Sequence, residues 1–367
     1  MRNTLRRDSD AGAYLKAALR TARYHVQDAL GLLKPRKLRI GLTNRCNAKC
    51  IMCNIWKMVD NTAPSLPEEL RVEEIDRILE RNARFLSDLN HISLTGGEPT
   101  LRRDFVDIWR VLNKHFPDMG MSFNSNGFST VKLLEYVCQI LRFHPRLTVM
   151  ISLDGYGEAH DKVRGMRNVF PHVRNTIMQL LELRERHPLM TVELNYVLTP
   201  INVDDSLAVH AFCRENRMPF NAIYAVQGEL YDNEDQDNVS LTEESRQRYI
   251  SHFTEILAED DSLQTREILD QLLDRPRDFD CWAGRTMLLI EENGNVFPNG
   301  GCPSNYLLGN LRDHDYSFDS LLASEKARAV LAGTNACRLC RLSCETMTTL
   351  QHPEALAGYR KSREIPV

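Results

Sequence analysis

Three cysteines, Cys46, Cys50 and Cys53, lie close together in the spacing C-x3-C-x2-C. They directly follow an apolar run, 38–43, that is typical of a buried strand. Three thiolates on one short loop can hold three corners of a cubic iron–sulfur cluster and leave the fourth iron open to a small ligand. A zinc site is the alternative, but such sites usually close with a fourth protein ligand, and the loop has no obvious one nearby. The triplet therefore predicts a metal centre with an open coordination position.

Glycine and polar residues occur where the other predicted strands end. Because the carboxyl ends of barrel strands meet at one edge, we expect these residues to share one mouth. Glycines let the backbone approach a ligand closely, Glu98 can accept hydrogen bonds from an ammonium group, and Arg164 can pair with a carboxylate. Ser152 and Asp154 suit ribose hydroxyls. The candidates for cofactor binding are Gly96, Gly97, Glu98, Pro99, Asn124, Asn126, Ser152, Asp154, Arg164 and Asn195.

Simpler interpretations of these residues stay open. Gly96-Gly97 and Asp154-Gly155 are also typical of ordinary turns. Arg164 can equally be a surface charge, and Asn195 can satisfy a buried backbone group.

Strand-like and helical patterns alternate from 38 to about 227, where Gln227 ends the last run. This order predicts a parallel sheet with helical crossovers. Right-handed crossovers curl such a sheet, and six units are fewer than the eight of a closed barrel. The predicted fold is α/β: a partial (βα)6 TIM-like barrel with a small C-terminal α+β cluster-binding domain. Predicted strands are 38–43, 91–95, 121–124, 148–153, 191–198 and 221–226; predicted helices between them are 72–86, 104–115, 130–142, 169–187 and 204–216.

Composition and pattern divide the chain into five segments. The first is basic and amphipathic, which indicates a helix that packs on the barrel or faces a partner or membrane surface. An acidic stretch, 229–237, is a solvated loop or overhangs the barrel mouth. The C-terminal domain contains a hairpin around Asn293-Gly294 and a helix at 317–331. The segments are 1–37 (helical extension), 38–230 (barrel), 231–280 (helical linker, with helices 242–258 and 263–273), 281–349 (C-terminal domain) and 350–367 (tail).

Composition excludes several classes of protein. The 367 residues are 43% hydrophobic with a formal net charge of −4, which allows a large core and gives no general case for nucleic-acid binding. No run approaches the roughly 18 apolar residues of a membrane span, and the N-terminal region lacks a signal peptide pattern. We therefore expect a cytoplasmic protein, in which ten cysteines indicate metal binding rather than disulfides.

Most of the remaining cysteines lie in the predicted C-terminal domain. They are Cys281, Cys302, Cys337, Cys340 and Cys344. The last three have the spacing C-x2-C-x3-C, which suits either an iron–sulfur site or a structural zinc knuckle. Cys138 and Cys213 fall among apolar neighbours in helical stretches, which predicts core positions. The histidines show no pairing that indicates a metal site.

These motifs together resemble the radical S-adenosylmethionine (SAM) superfamily. The cysteine triplet, Gly-Gly-Glu-Pro at 96–99 and Ser-x-Asp-Gly at 152–155 carry the resemblance, which spans about 38–227. It implies a [4Fe–4S] cluster with an open iron site, at which SAM binds. In this superfamily one electron breaks the sulfonium bond of SAM, and the 5′-deoxyadenosyl radical takes a hydrogen atom from an unactivated C–H bond. Members commonly have an aromatic residue before the third cysteine; Met52 stands there and can still pack against adenine.

The C-terminal cysteines resemble the auxiliary-cluster modules of the superfamily, the SPASM domain and the shorter twitch domain. A full SPASM module uses seven cysteines for two clusters, so the smaller set here implies one auxiliary [4Fe–4S] cluster. The resemblance implies Cys281, Cys302, Cys337 and Cys340 as its ligands. Cys344 is then a replacement ligand, a nearby buried thiol or a hydrogen-atom donor. The Gly294–Cys302 spacing is longer than the usual module pattern.

The expected function is that of a radical SAM oxidoreductase-type enzyme acting on a small polar metabolite, such as a sugar or aminocyclitol. The residues before the barrel are too few for the winged-helix leader-binding domain that peptide-modifying members often carry. A maturase for a ribosomal peptide or protein, or a radical epimerase, is the alternative. A non-catalytic metal-binding or assembly protein is a third, although the intact triplet and Glu98 oppose it. The resemblance further implies a reduced flavodoxin or ferredoxin-type protein as electron donor.

Overall fold

The fold is known from a computed structural model that describes most of the chain between residues 33 and 334. The N-terminal extension, the acidic stretch and the tail lie largely outside the described residues, and Gln227, Cys340 and Cys344 lie wholly outside them. The described residues are 26, 33–63, 66, 68–225, 231, 233, 239–277, 280–334, 337–338, 346–347, 356 and 359–360.

Within these residues a single nine-stranded sheet organises the molecule. Its strands are β1 Lys37–Gly41, β2 His91–Thr95, β3 Gly120–Ser125, β4 Leu147–Ser152, β5 Thr191–Leu198, β6 Phe220–Tyr224, β7 Met287–Ile290, β8 Asn295–Phe297 and β9 Gly309–Asn310. They lie in the order β6-β5-β4-β3-β2-β1-β7-β8-β9. All neighbours from β6 to β7 are parallel, and β7–β8 and β8–β9 are antiparallel. Parallel neighbours require crossovers, which helices provide.

The helices lie between and after these strands. They are α1 Ile55–Met58, α2 Val72–Arg81, α3 Phe105–His115, α4 Thr130–Leu141, α5 Glu158–Arg164, α6 Phe170–Arg186, α7 Ser206–Glu215, α8 Glu243–Glu259, α9 Leu263–Leu272, α10 Phe318–Leu322 and α11 Glu325–Thr334. The predicted fold class is confirmed, since six parallel strands with helical crossovers form a partial barrel. No described helix is both long and apolar enough to cross a bilayer.

Four helices differ from the prediction, and the short helix α1 is one that was not expected. Helix α5 was not expected either. The helix predicted over 72–86 ends at Arg81, because the Asn82 side chain donates to the carbonyl of Ile78 (2.7 Å) and accepts from the amide of Phe318 (2.8 Å). The helix predicted over 317–331 is two helices, α10 and α11, because the Ser324 hydroxyl accepts from the amide of Ala327 and starts a new turn.

Each barrel strand has an apolar outer face and a more polar inner face. Ile92 and Leu94 of β2 are fully buried in the core that packs beneath the helices. The alternate residues point to the barrel interior, where Asn195 of β5 donates to Asn124 of β3 at 3.1 Å. This alternation places hydrogen-bonding side chains inside the barrel, towards the ends of its strands.

The C-terminal hairpin extends the barrel sheet. Strand β7 pairs in parallel with β1, with Lys37 opposite Met287 and Ile40 opposite Ile290. The predicted hairpin turn is present, and Gly294 adopts a φ of +90° there, a conformation that favours glycine. Strand β1 is therefore flanked on one side by the barrel and on the other by the hairpin. The predicted domain boundaries remain predictions.

Candidate active site

The cysteine loop that follows β1 is fixed by backbone hydrogen bonds to α5. The amides of Lys49 and Ile51 donate to the carbonyls of Arg164 and Val163 at 3.1 and 3.0 Å. A small apolar cluster fills the space between loop and helix; its buried members are Ala48, Cys50, Met52, Val163 and Val239. The unexpected helix α5 is thus the platform on which the cysteines are held.

Cys46, Cys50 and Cys53 line one cavity, the cysteine cavity, of about 220 Å³. Burial, together with charge repulsion from Cys50, raises the pKa of Cys46 and of Cys53 to about 12. Burial also raises the pKa of Cys50, while the positive charge of Arg164 opposes that effect. Buried thiols of this kind become good ligands when a metal stabilises the thiolate form. The set therefore has the donor chemistry of a thiolate-bound metal centre.

The three thiols can be compared with the ligand sets of a single ion and of a cluster. Among the residues that the structure describes, no three His, Cys, Asp or Glu side chains close around one point as a mononuclear site requires. A cubane distributes its ligands over separate irons, so its ligand sulfurs stand farther apart than those around one zinc ion. The three thiols that share the cysteine cavity suit three such corners.

The glycine loop after β2 is packed tightly against the start of the cysteine loop. The amide of Gly97 donates to the carbonyl of Thr43 at 2.6 Å. An added Cβ on Gly97 would lie 2.2 Å from the carbonyl oxygen of Arg45, and one on Gly96 would lie 2.3 Å from that of Thr43. Gly96 also has a φ of +123°. The glycines thus allow the two loops to meet, whereas the sequence predicted close approach to a ligand.

Glu98 lines the cysteine cavity, but its carboxylate is largely occupied by the protein. It accepts hydrogen bonds from the amide and hydroxyl of Thr100, the hydroxyl of Ser125 and the amide of Asn126. Burial raises the pKa of Glu98 and these hydrogen bonds oppose that effect. Pro99 begins a short 3-10 turn and is not part of the cavity wall. Glu98 therefore joins the ends of β2 and β3 at the site.

Asp154 and Arg164 form a buried ion pair behind the cysteine loop. Arg164 Nη2 lies 2.6 Å from Asp154 Oδ2, with side-chain exposures of 9% and 0%. Asp154 also accepts from the amide of Val197 at 2.7 Å, and Arg164 Nη1 donates to Cys50 Sγ at 3.6 Å. Asp154 is fully buried and does not line the cavity, so its contact with a ligand hydroxyl stays a prediction. Arg164 does line the cavity, next to a cysteine.

The remaining candidates, Asn124, Asn126, Ser152 and Asn195, all line the cysteine cavity. Asn126 donates to Asn47 of the cysteine loop at 2.7 Å. Asn195 is only 8% exposed, and its Oδ1 has no hydrogen-bond partner in the described part of the chain. A buried carbonyl oxygen without a donor is costly, so the site has an acceptor that a ligand N–H or O–H group can satisfy.

Three C-terminal cysteines lie near one tyrosine. Burial raises the pKa of Tyr306, and a hydrogen bond with Cys337 and the charges of Cys302 and Cys281 raise it further. Cys281 is buried and the other two are half-buried. Three of the predicted ligands therefore influence the same tyrosine, while Cys340 and Cys344 lie outside the described residues, and the ligand set stays a prediction.

Of the two cysteines predicted in the core, Cys213 is buried, but Cys138 is exposed and that prediction was wrong. Helix α4 turns its neighbour Val137 towards the core instead. One residue step rotates a helix position by about 100°, which is enough to move a side chain from core to solvent.

A second cavity, the seam cavity, was not predicted. It lies between β1 and β7, holds about 100 Å³ and shares Ile55, Gly96 and Tyr231 with the cysteine cavity. Its polar lining residues are Arg39, Asn44, Thr95, Glu291 and Glu292. Burial raises the pKa of Glu292 to about 7. The sequence signals were an arginine within an apolar strand and a Glu-Glu pair before the hairpin turn.

The profile of the Radical SAM superfamily matches residues 40–226, about half of the chain. The chain belongs to this superfamily. Members use a [4Fe–4S] cluster and SAM, and the cysteine cavity contains the thiolate set that such a cluster needs. The predicted radical SAM resemblance is confirmed, and with it the assignment of the chain as a radical SAM enzyme.

Two curated relatives and one solved fold illustrate the range of similar proteins. A probable GTP 3′,8-cyclase of Thermoplasma volcanium is 32% identical over 168 residues, which are 46% of this chain and 47% of that protein. The sporulation killing factor maturation protein SkfB of Bacillus subtilis is 30% identical over 162 residues, which are 43% of this chain and 36% of that protein. The chain thus spans less than half the length of these relatives.

The solved structure is that of SuiB from Streptococcus suis, crystallised with SAM and with the precursor peptide SuiA. In its SAM complex it superimposes with a TM-score of 0.61 at 16% identity, covering 91% of this chain and 79% of SuiB. At this identity the likeness concerns the fold, and it extends beyond the barrel into the C-terminal region.

Proposed function

We propose that this chain reductively cleaves SAM and removes a hydrogen atom from a carbon atom of its substrate. The observation that carries the proposal is that Cys46, Cys50 and Cys53 share one cavity with the Gly-Gly-Glu loop and Asn195. When bound, the cluster and SAM supply the 5′-deoxyadenosyl radical. The protein holds these groups, orients the substrate and excludes water.

The described residues divide these tasks. The three cysteines would hold the cluster, and Arg164 stabilises the negative charge of Cys50 while Asp154 fixes the guanidinium. Asn195 offers its unpaired carbonyl oxygen to a donor on SAM or the substrate. Glu98 positions the glycine loop beside the Asn195 carbonyl oxygen. Within the described residues, its own Oε2 accepts a hydrogen bond only from the amide of Asn126.

We further propose that the C-terminal cysteines hold one auxiliary [4Fe–4S] cluster. Cys281, Cys302 and Cys337 all lie close enough to Tyr306 to raise its pKa, and Cys340 or Cys344 would complete the set. Such a group can accept the electron that a substrate radical loses when it is oxidised. The overall reaction would then be oxidation of the substrate with loss of two hydrogen atoms: one to the adenosyl radical and one as a proton and an electron.

The proposed substrate is a small polar molecule of the sugar or aminocyclitol type. The seam cavity opens beside the cysteine cavity and presents an arginine, an amide, a hydroxyl and two carboxylates. Its volume of about 100 Å³ is below the roughly 150 Å³ of a cavity that accepts benzene, so it would hold only part of such a molecule. Similarity to a protein named for its action on GTP, also a polar sugar derivative, is consistent with this choice.

A peptide or protein side chain is the second candidate. It is favoured by 30% identity to SkfB, which is named as a maturation protein. The cysteine cavity supports it too, because its wall includes Met52, Ile55, Trp56 and Tyr224, apolar groups that suit an amino-acid side chain.

Transfer of deuterium tests both proposals. The anaerobically reconstituted, dithionite-reduced enzyme is incubated with SAM and either deuterated sugars and aminocyclitols or deuterated peptides. We expect 5′-deoxyadenosine to form and to carry deuterium from the sugar-type compounds. If the 5′-deoxyadenosine carries deuterium only when peptides are supplied, the peptide is the substrate and the sugar-type proposal is wrong. Absence of 5′-deoxyadenosine from a protein that contains its iron would contradict the proposed function itself.

A further inference from the structure

We propose that a short turn at 282–286, the hub, positions the C-terminal cysteines, and that Arg285 is its main positioning residue. This rests on the proposed function, because it concerns the metal site that the C-terminal cysteines would form. The hub directly follows Cys281 and contacts the segments that lead to Cys302 and Cys337. The ligands would thus be arranged by protein contacts before a metal binds.

The hub is a braced turn that is attached to the barrel sheet. The amides of Arg285 and Thr286 donate to the carbonyl of Trp282 at 3.2 and 3.1 Å, and the Thr286 hydroxyl donates to the same carbonyl at 3.1 Å. The carbonyl of Thr286 in turn accepts from the amide of Lys37, the first residue of β1, at 3.1 Å. Because β1 also leads to Cys46, one strand connects the hub with the cysteine triplet.

Gly284 is the point of the hub at which other segments approach most closely. Its amide donates to the carbonyl of Pro298 at 3.0 Å, and Pro298 leads into Cys302. An added Cβ on Gly284 would lie 2.3 Å from Cδ2 of Leu331, which belongs to the helix that precedes Cys337. Gly284 is buried and has a φ of +83°, a conformation that favours glycine. The hub therefore contacts the segments before both of the other described cysteines.

Arg285 reaches from the hub to the end of α11. Its Nη1 donates to the hydroxyl of Thr334 at 2.8 Å, and its Nη2 donates to the carbonyl of Leu331 at 3.2 Å. The last carbonyls of a helix lack intrahelical partners, and a cation there also meets the negative end of the helix dipole. Thr334 is only 1% exposed, and its carbonyl accepts from the amide of Cys337 at 3.0 Å. Arg285 thus holds the residue to which Cys337 is bonded.

Two further arginines join the neighbours of Cys281 to those of Cys337. Arg277 donates to the backbone carbonyl of Cys337, and Arg338 Nη2 lies 2.9 Å from Asp280 Oδ1. The pair of Arg338 with Asp280 is about half exposed and adds little stability, but it places the neighbours of two cysteines side by side. Loss of a contact that orients a metal ligand typically lowers metal affinity by about 10–100-fold.

Cobalt binding to the full-length chain measures how well the C-terminal cysteines are positioned. Co²⁺ binds thiolates, and its visible absorption bands depend on the coordination geometry. Cys46→Ala/Cys50→Ala/Cys53→Ala, the triplet-free chain, removes the other cysteine group from the measurement. Titration of this metal-free chain with Co²⁺ gives both the affinity and the spectrum of the C-terminal site.

Three variants in the triplet-free chain test the hub. Arg285→Met removes both contacts to α11, and Arg285→Lys keeps one donor. Thr334→Val is milder, since it removes the hydroxyl that accepts from Arg285 and keeps the shape of the side chain. Arg328→Met is the matched control, because it removes the same charge from an exposed position of α11.

We expect Arg285→Met to bind Co²⁺ about 10–100-fold more weakly and with altered visible bands. Thr334→Val should lose a smaller factor, Arg285→Lys should recover part of the loss, and Arg328→Met should match the triplet-free chain. Unchanged affinity and bands in Arg285→Met, or equal weakening by Arg328→Met, would overturn the positioning role. If urea denaturation shows that Arg285→Met is unfolded, Thr334→Val decides, and unchanged binding by it would overturn the role as well.

The same titration separates this role from the proposed auxiliary cluster. If the triplet-free chain binds no Co²⁺, the C-terminal cysteines form no metal site and the positioning role is wrong with it. If Arg285→Met weakens Co²⁺ binding as expected but the reconstituted wild type contains only about four irons per chain, the positioning role stands and the proposed auxiliary cluster is wrong.

Discussion

The two groups of cysteines in this chain are built in different ways. Cys46, Cys50 and Cys53 belong to one short loop whose backbone is bonded to α5. Cys281, Cys302 and Cys337 come from three distant segments, and all three raise the pKa of Tyr306. A site on one loop is largely arranged by local structure, whereas a site from distant segments depends on the tertiary fold. The first group should therefore govern the chemistry, and the second should respond most to changes in folding.

The largest effect is expected from Cys53→Ala. Removal of one of three ligands should prevent stable assembly of the first cluster, so iron should fall by about four per chain and SAM cleavage by at least about 100-fold. Iron analysis and 5′-deoxyadenosine formation measure the two effects. Cys138→Ala, at an exposed position, is the matched control and should behave like the wild type. Normal SAM cleavage by the Cys53 variant would refute the assignment.

Cys337→Ala should distinguish the role of the C-terminal cysteines from that of the cysteine triplet. We expect the loss of about four irons again, but SAM cleavage within several-fold of the wild type, because the cysteine cavity is untouched. Oxidised substrate should disappear. Loss of zinc instead of iron from this variant would show that the second group is a structural zinc site.

Arg164→Met tests the anchor of the first group. It leaves Asp154 buried without a counterion, which typically costs about 3–5 kcal/mol of unfolding free energy. Urea denaturation of the metal-free protein measures this. Adding Asp154→Asn should recover much of the lost unfolding free energy, because the uncompensated charge is removed.

The control is an exposed ion pair. Arg110→Met breaks an exposed pair with Asp107 and should cost at most about 1 kcal/mol. Similar losses from Arg164→Met and Arg110→Met would contradict the buried-anchor model.

Gly97→Ala tests the contact between the glycine loop and the cysteine loop. The added methyl group would clash with the carbonyl of Arg45, so we expect a loss of about 1–3 kcal/mol and weaker retention of the first cluster than of the second. Gly120→Ala is the control, since an added Cβ there meets no atom within 4 Å. Urea denaturation and iron retention during dialysis distinguish the two. If Gly97→Ala changes neither the unfolding free energy nor the iron retention, the glycine loop and the cysteine loop can move apart easily, which would contradict the expected clash.

Glu292→Gln should have an effect on stability that appears only as pH rises. Burial raises the pKa of Glu292 from 4.5 to about 7, so the folded protein binds more protons than the unfolded chain between these values. Stability is therefore lost as pH rises through this window. Glutamine removes the effect, so the variant should become more stable relative to the wild type by the order of 1–3 kcal/mol from pH 4.5 to 8. Urea titrations at both pH values measure the difference in unfolding free energy between the variant and the wild type. The same difference at both would contradict the raised pKa of Glu292.

Much of the fold could be predicted because strands of a parallel barrel are strongly apolar and alternate with helical periods. Strands β2 and β5 begin and end at the predicted residues. The cysteine and glycine loops could be recognised because their function depends on residues that are adjacent in sequence. The hairpin turn was marked by Asn293-Gly294, whose backbone conformation favours glycine.

The rest depends on contacts between distant residues. Asp154 and Arg164 were each assigned to a ligand, yet they bind one another, because burial makes a paired charge far more favourable than a lone one. The seam cavity joins Arg39 to Glu291 and Glu292 across the β1–β7 contact. The arginine and the Glu-Glu pair were visible in the sequence, but no local pattern records which strand lies beside β1 and so brings them together.

The pairing of β1 with β7 has a consequence for synthesis of the chain. The two strands are about 250 residues apart, so at roughly 5–20 residues per second the ribosome needs about 10–50 s to produce the second after the first. During that interval the nascent chain presents β1 with a bare edge and the cysteine loop directly behind it. The strands β2 to β6 are therefore complete before the strand that covers this edge of β1 is made.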